Sequence, residues 1–255
     1  LHPRVRRQRQ MCIRDSLKAF ELSILLLLIG LFITLALTAK HKSPDLPIMR
    51  FACIFSNAAY MGFPLIQALF GSEGLLYASA FVTVYNILLW TAGYGIVSKK
   101  VHAKEVLRTI FTNPVLISVM AGLLIYLCQI PVPDIIKQPV SLVGNMNTPL
   151  SMFITGMIIA GSDVKGLVYN KNIWYIILVR QLVIPAVCFG IFSLFHVTGM
   201  AAQVVLLLEA CPSAAITSVF AVQFGYDENL AAGAVVITTF FSILTLPVCA
   251  MLLTA

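Results

Sequence analysis

Asn57-Ala58-Ala59-Tyr60-Met61-Gly62-Phe63-Pro64 lies in the middle of an apolar run from about Ile48 to Phe70. A run of roughly 20 apolar residues is long enough to cross a bilayer as a helix. This one carries an amide, a glycine and a proline at its centre. Proline removes a backbone donor and clashes with the carbonyl four residues earlier, so the helix is expected to be interrupted there. Backbone freed at membrane depth is tolerated only where protein or a watery cavity satisfies it. A second long run, Met200 to Phe224, has the same defect at Glu209-Ala210-Cys211-Pro212-Ser213-Ala214. Two interrupted helices in matching positions of two halves point to a transporter's binding site.

Composition agrees with a membrane setting. Hydrophobic residues make up 60% of the 255 and charged residues 11%, with a mean hydropathy of +0.95. A soluble chain is nearer 45–50% apolar and about 25% charged. Apolar segments of about 20 residues indicate helices, since the strands of a membrane barrel are roughly 10-residue alternating stretches. The expected class is therefore an all-α integral membrane protein. The six cysteines (Cys12, Cys53, Cys128, Cys188, Cys211, Cys249) follow no metal-ligand or redox spacing. All but Cys12 fall in apolar spans and read as small core residues. All four histidines lie in loops or the leader, so neither a histidine metal site nor a histidine proton relay is expected. No cofactor signature is present.

Residues 1–16 hold five arginines and no span. Their RRQRQMCIRDS portion resembles translated sequencing-adapter sequence, and they are read as a non-native or disordered leader outside the fold. The rival reading is a basic arm for anionic lipid or nucleic acid; nucleic acid is not an expected partner. Without these five arginines and Asp15 the net charge falls from +7 to +3.

Eight candidate spans follow, at roughly 17–39, 48–70, 74–97, 114–131, 140–161, 173–195, 199–224 and 229–254. Basic residues concentrate on the alternate loops 40–50, 98–113 and 162–172, while the opposite side carries only Lys18 and Lys137. Cytoplasmic loops are the basic ones. Both ends of the chain then face the non-cytoplasmic side of a multi-pass cell (inner) membrane protein.

An internal repeat emerges next. Gln67-Ala68-Leu69-Phe70-Gly71-Ser72-Glu73 precedes Ala221-Val222-Gln223-Phe224-Gly225-Tyr226-Asp227 by 154 residues, with Phe-Gly-x-acid common to both. The same register lays the two central defects over one another. An odd number of spans separates the copies, so the second is expected to be inverted. The implied plan is two inverted five-helix repeats. Residues 17–97 supply three helices of the first, 98–113 a basic cytoplasmic loop, and 114–255 the second. About two helices are expected ahead of residue 17.

These residues resemble the auxin efflux carrier family, the bacterial relatives of plant PIN-type exporters. The first-repeat likeness is carried by Phe55-Ser56-Asn57, Gly62, Pro64-Leu65 and Phe70-Gly71, continuing through Tyr77-Ala78, Tyr85-Asn86 and Trp90-Thr91-Ala92-Gly93. The second repeat matches at Asn113-Pro114, Pro149-Leu150, Gly156, Pro212 with Ala214, and Thr245-Leu246-Pro247. The resemblance covers about residues 17–255. It implies broken helices crossing at an X and transport of small organic anions, such as mono- and dicarboxylates or auxin-like acids, by a secondary carrier. A sodium-coupled symporter of the related bile-acid type and an anion channel are the alternatives. A homodimer is a candidate assembly.

A carboxylate entering a membrane loses hydration and needs donors, which a half-helix N-terminus supplies. Asn57, Gly62 and Pro64 in the first crossing, and Pro212, Ser213 and Thr217 in the second, form the expected binding set, with Asn86 added from the next span. Glu209 sits about 10 residues into its span, at ~1.5 Å per residue near the middle of a ~30 Å core. Intramembrane acids default to functional roles, and Glu209 is read as a proton-coupling carboxylate, with a neutral or hydrogen-bonded acid fixing the broken helix as the rival. Arg180 lies about seven residues from its span's entry and reads as snorkelling to the interface, with substrate contact the rival. Gln181, Asn145 and Asn147 are further polar groups that fit interhelical hydrogen bonds or ligand contact. No metalloprotease or serine-hydrolase motif and no pair of facing aspartates occurs, so an enzyme is not expected.

Overall fold

The structure is a computed structural model that describes residues 3–98, 112, 114–161, 167 and 169–254. Among these residues it is helical throughout, without strands. The helices, in chain order, are α1 (Pro3–Leu37), α2 (Leu46–Ile54), α3 (Phe63–Leu88), α4 (Tyr94–Ser98), α5 (Pro114–Cys128) and α6 (Asp134–Asn145). They continue with α7 (Asn147–Ala160), α8 (Lys171–Ile177), α9 (Ile184–Leu194), α10 (Met200–Glu209), α11 (Ile216–Phe224) and α12 (Glu228–Thr254). The backbone of α1 is helical back to Pro3, and its membrane-length apolar part begins at Ser16. The basic loop expected at 98–113 falls almost wholly outside the described residues.

Among the described residues four helical stretches are long and apolar enough to cross a membrane: Ser16–Leu37, Ala58–Ser98, Lys171–Leu194 and Glu228–Leu253. Eight spans were expected from the apolar runs. Run 199–224 is divided at 210–215 into pieces too short to qualify individually, and run 48–70 is divided at 55–57. The second part of run 48–70 leads into run 74–97 through Gly71, whose non-helical φ and ψ put a kink between two helical pieces of α3. Gly71 has φ 62° and ψ −153°, a region essentially restricted to glycine. Gly225, its counterpart in the repeated Phe-Gly pair, closes α11 in the left-handed conformation at φ 70°, the usual glycine helix stop. Both copies of the repeat thus end their broken segment on a glycine with positive φ.

Pro64 does not make the first break. It lies where the π turn that follows the break passes into α3. The break lies earlier, at Phe55–Asn57, where Phe55 is extended (φ −98°, ψ 119°). A π-helical turn, Ala58–Gly62, then leads into α3. Pro212, by contrast, sits inside the second break. Two more π turns, Leu89–Gly93 and Leu178–Val183, interrupt otherwise continuous helices. Such turns are rare and concentrate at functional sites.

Loops gather at two ends. At one, Tyr226 Oη donates to Val97 O at 2.7 Å, Asp227 N donates to Asp45 Oδ1 at 3.0 Å, and His41 stacks on Tyr175. Burial, and secondarily the Asp45 carboxylate, push the Tyr226 phenol above its ordinary pKa. At the other end Lys18, Glu21, Glu73 and His196 share one recess. Between the ends, aromatic rings join the broken segments. Phe51 of α2 meets Phe220 of α11 edge-on at 5.1 Å, and Trp90 and Tyr94 close on Phe220 from the side. A Cβ on Gly93 would come within 2.6 Å of the Phe55 ring, so the π turn at 89–93 lies directly on α2.

Adding a Cβ at either positive-φ glycine tests these bends. Gly225→Ala is expected to cost about 1–2 kcal/mol. Gly71→Ala is expected to cost more, because an Ala is less tolerated still at its φ and ψ. Thermal unfolding of the detergent-solubilised variants, with Gly71→Ala melting below Gly225→Ala, is the check.

Candidate functional site

The two breaks meet. Asn57 N donates to Pro212 O at 2.7 Å, and Ala214 N donates to Phe55 O at 2.9 Å. This sets Ser56 opposite Ser213 as an isolated antiparallel bridge. All six residues from Phe55 to Asn57 and Pro212 to Ala214 are buried. Gly62 admits the approach, since a Cβ there would lie 2.4 Å from Leu208 of α10.

A helix end leaves four carbonyls without intrahelical donors, and inside an apolar body each needs another partner. For α2 the pairing is complete. Phe51 O accepts from Phe55 N at 3.0 Å, and Ala52 O accepts from Ser213 Oγ at 2.9 Å. Cys53 O and Ile54 O both accept from Arg180 Nη1, at 3.2 and 3.1 Å. Beyond the end, Ser56 O accepts from Tyr85 Oη at 2.8 Å. At the end of α10, Leu206 O and Leu208 O accept from the N–H groups of Ala210 and Cys211. Glu209 O accepts from Arg180 Nη2, and Cys211 O from Arg180 Nε at 3.1 Å. Arg180 Nη1 also donates to Glu209 Oε1 at 3.1 Å, forming an ion pair in which neither side chain is exposed.

Arg180 therefore does not snorkel. The π turn at Leu178–Val183 offsets the register, so Arg180 and Gln181 are both buried. Arg180 enters the crossing, while Gln181 Nε2 donates to Thr238 O of α12 at 2.6 Å. Thr238 Oγ1 in turn accepts from Ser213 N at 3.0 Å. Glu209 Oε2 is buried without a partner. Gly30 of α1 leaves it room, for a Cβ there would lie 3.1 Å from Glu209 Oε1.

Past the breaks the chain restarts as helix, and those starts face a cavity of about 450 Å³. Tyr60, Phe63, Tyr85 and Trp90 supply aromatic wall, and Ser56, Asn57 and Asn86 supply polar groups. Residues 59–60 on one side and 215–216 on the other line the cavity from the first turns of these helices, where a helix start leaves N–H groups unpaired. Asn57 is buried and its Nδ2 has no acceptor. Asn86, half-buried, donates Nδ2 to Val82 O at 2.8 Å. Ile154 of α7 closes one side.

Of the residues expected to bind ligand, Asn57 and Asn86 line this cavity. Gly62, Pro212, Ser213 and Thr217 lie in the buried crossing behind it, Thr217 with its hydroxyl unpartnered. Pro64 is half-buried in the first turn of α3. Gln181 lines a separate apolar cavity between α9, α10 and α12. Asn145 and Asn147 are exposed, at the junction of α6 and α7. Tyr85 and Thr238 complete the pairing at the breaks; Tyr85 stood in the sequence only as part of the family likeness, and Thr238 carried no distinguishing signal.

A family profile described as membrane transport protein matches residues 7–250. The chain belongs to that family, the auxin efflux carriers. It is similar to an uncharacterized transporter of Methanocaldococcus jannaschii, 26% identical over 243 residues, covering 90% of this chain and 78% of the relative. It is also similar to an uncharacterized transporter of Methanothermobacter thermautotrophicus, 23% identical over 204 residues, covering 79% of this chain and 66% of the relative. The crossing and its cavity therefore belong to a membrane transport protein, whose family speaks for a transporter rather than an enzyme.

Removing one member of a buried, multiply bonded ion pair costs about 3–5 kcal/mol. Arg180→Met, which strands four carbonyls and a carboxylate, is expected to reach that range. Glu209→Gln keeps an acceptor for Arg180 and is expected to cost about 1–3 kcal/mol. Chemical unfolding in detergent, with Arg180→Met the less stable variant, is the check.

Proposed function

We propose that the protein is a secondary carrier of small organic anions, working as an exporter, that receives its substrate in the cavity at the crossing. The observation that carries this reading is the pairing of opposite helix ends with opposite fates. The C-terminal ends of α2 and α10 are covered by Arg180, while the helix starts beyond them front a cavity lined by Asn57, whose Nδ2 lacks an acceptor. Helix starts favour anions. A carboxylate bound there would accept from the first-turn N–H groups and from Asn57, with its apolar body against Tyr60, Phe63 and Trp90.

The same reading takes the fold as part of a two-repeat, inverted plan, with eight membrane segments in this chain. The shared positive-φ glycines and the antiparallel meeting of the two breaks support it. So does the gathering of loops near Asp45, Val97, Tyr175 and Asp227 at one end, which the positive-inside rule makes cytoplasmic. Drive is proposed to come from the membrane potential and the proton gradient, with Glu209 as the proton site. Each helix end contributes about half a negative charge. With an ionised Glu209 that makes roughly two negative charges against one guanidinium, and a proton on Oε2 brings the crossing to balance.

Proteoliposomes loaded with radiolabelled mono- and dicarboxylates, with and without a pH gradient, test the proposal. Saturable counterflow is expected. Asn57→Ala is expected to raise KM roughly ten-fold or more, the value of a hydrogen bond to a charged group. Glu209→Gln is expected to abolish the response to the pH gradient; unchanged proton-driven flux would remove Glu209 from the coupling role.

A further inference from the structure

The crossing collects an unusual set of oxygens. Two carbonyls from the end of α2 (Cys53, Ile54), two from the end of α10 and just beyond it (Glu209, Cys211) and the Glu209 carboxylate all point at one buried spot. Hard cations take oxygen ligands of this kind. In carriers with interrupted helices, half-helix C-terminal ends and unwound carbonyls coordinate sodium. Here the spot is filled from within. The three nitrogens of Arg180, held in a fixed fork, serve five acceptors: Nε serves Cys211 O, Nη2 serves Glu209 O, and the two hydrogens of Nη1 are shared among Cys53 O, Ile54 O and Glu209 Oε1. Its side chain is fully buried, and Glu209 is its acidic partner among the described residues.

We propose that Arg180 is a tethered cation occupying the position of a coupling metal ion, so that sodium neither binds at the crossing nor drives transport. A guanidinium joined to the backbone cannot dissociate, so the C-terminal ends stay neutralised in every step of a cycle. Of the carbonyl and carboxylate oxygens gathered around Arg180, Glu209 Oε2 alone then remains open to a mobile ion, and that ion is the proton. Removing the guanidinium while keeping the oxygens leaves a vacated cation site. This inference bears on coupling only through the carrier reading given above, but the site itself is testable without flux.

The experiment is thermal unfolding of the full chain in detergent, in sodium chloride or choline chloride at matched ionic strength. Wild type, Arg180→Ala and Arg180→Lys are compared, with millimolar methylguanidinium as a further arm. Wild type is expected to melt at the same temperature in both salts, since nothing binds the folded state. Arg180→Ala is expected to melt lower, and to be raised by methylguanidinium and by sodium but not by choline. Arg180→Lys, which keeps a positive charge with fewer donors, is expected to fall between the two and to ignore sodium. A sodium-specific upward shift in wild type would overturn the proposal. So would an Arg180→Ala variant that responds to neither small cation, the result expected of a merely structural arginine. If Arg180→Ala is recovered folded only when prepared in methylguanidinium, the proposal stands; if methylguanidinium does not recover it, the proposal falls. Absence of flux with every carboxylate tried would sink the carrier reading and leave the melting result untouched.

Discussion

Everything at the centre of this molecule follows from one constraint: a peptide group inside an apolar body must find a partner. The protein breaks two helices where water is scarce and then accounts for the freed groups almost one by one. Backbone pairs with backbone across the Ser56–Ser213 bridge. Hydroxyls from Ser213, Tyr85 and Thr238 take single positions. Arg180 takes the rest. Elements far apart in sequence are thereby obliged to meet, and the aromatic contacts around Phe51, Phe55 and Phe220 pack against a frame already specified by hydrogen bonds.

The accounting is also asymmetric, and the asymmetry is where function enters. C-terminal ends are covered by a resident charge, whereas helix starts are left facing a cavity. A site finished on one side and open on the other has a built-in polarity toward anions. Among the described residues no formal charge lines the cavity, whose walls are mostly aromatic and aliphatic. Selectivity in the proposed site thus rests on dipoles and shape, with Asn57 as its directional side chain.

Much of this was legible in the sequence. The two defects around Asn57 and Pro212 stand out because amides, prolines and an acid are costly within apolar runs, and the repeated Phe-Gly pair aligned them. The all-helical membrane class followed from composition, and the family from ordered motifs. What escaped was whatever depends on local departures from a regular helix. Depth counted at a constant rise per residue put Arg180 near an interface; a π turn, which no residue type announces, carries it into the crossing. Pro64 drew attention as the breaker, yet the chain broke before it, and a π turn leads the restarted helix into the proline. Thr238 looks like any threonine in an apolar helix, and Tyr85 stood out only as part of an ordered motif. Their roles exist only once a distant carbonyl arrives beside them. Gly71 showed up as a repeat marker, but the kink it places within α3 depends on its backbone angles.

The distance along the chain between Arg180 and the carbonyls it serves has a consequence for biogenesis. Arg180 is 127 residues later than Cys53. At ribosomal speeds of about 5–20 residues per second, that interval is on the order of ten seconds. Throughout it, the first interrupted segment has been synthesised and its terminal carbonyls have no permanent donor. Nascent α2 must therefore wait in a hydrated place, beside the insertion machinery or near the lipid headgroups, and can sink to its final depth only after the later half has emerged. The crossing is in this sense an assembly checkpoint: neither interrupted segment can be completed without the other.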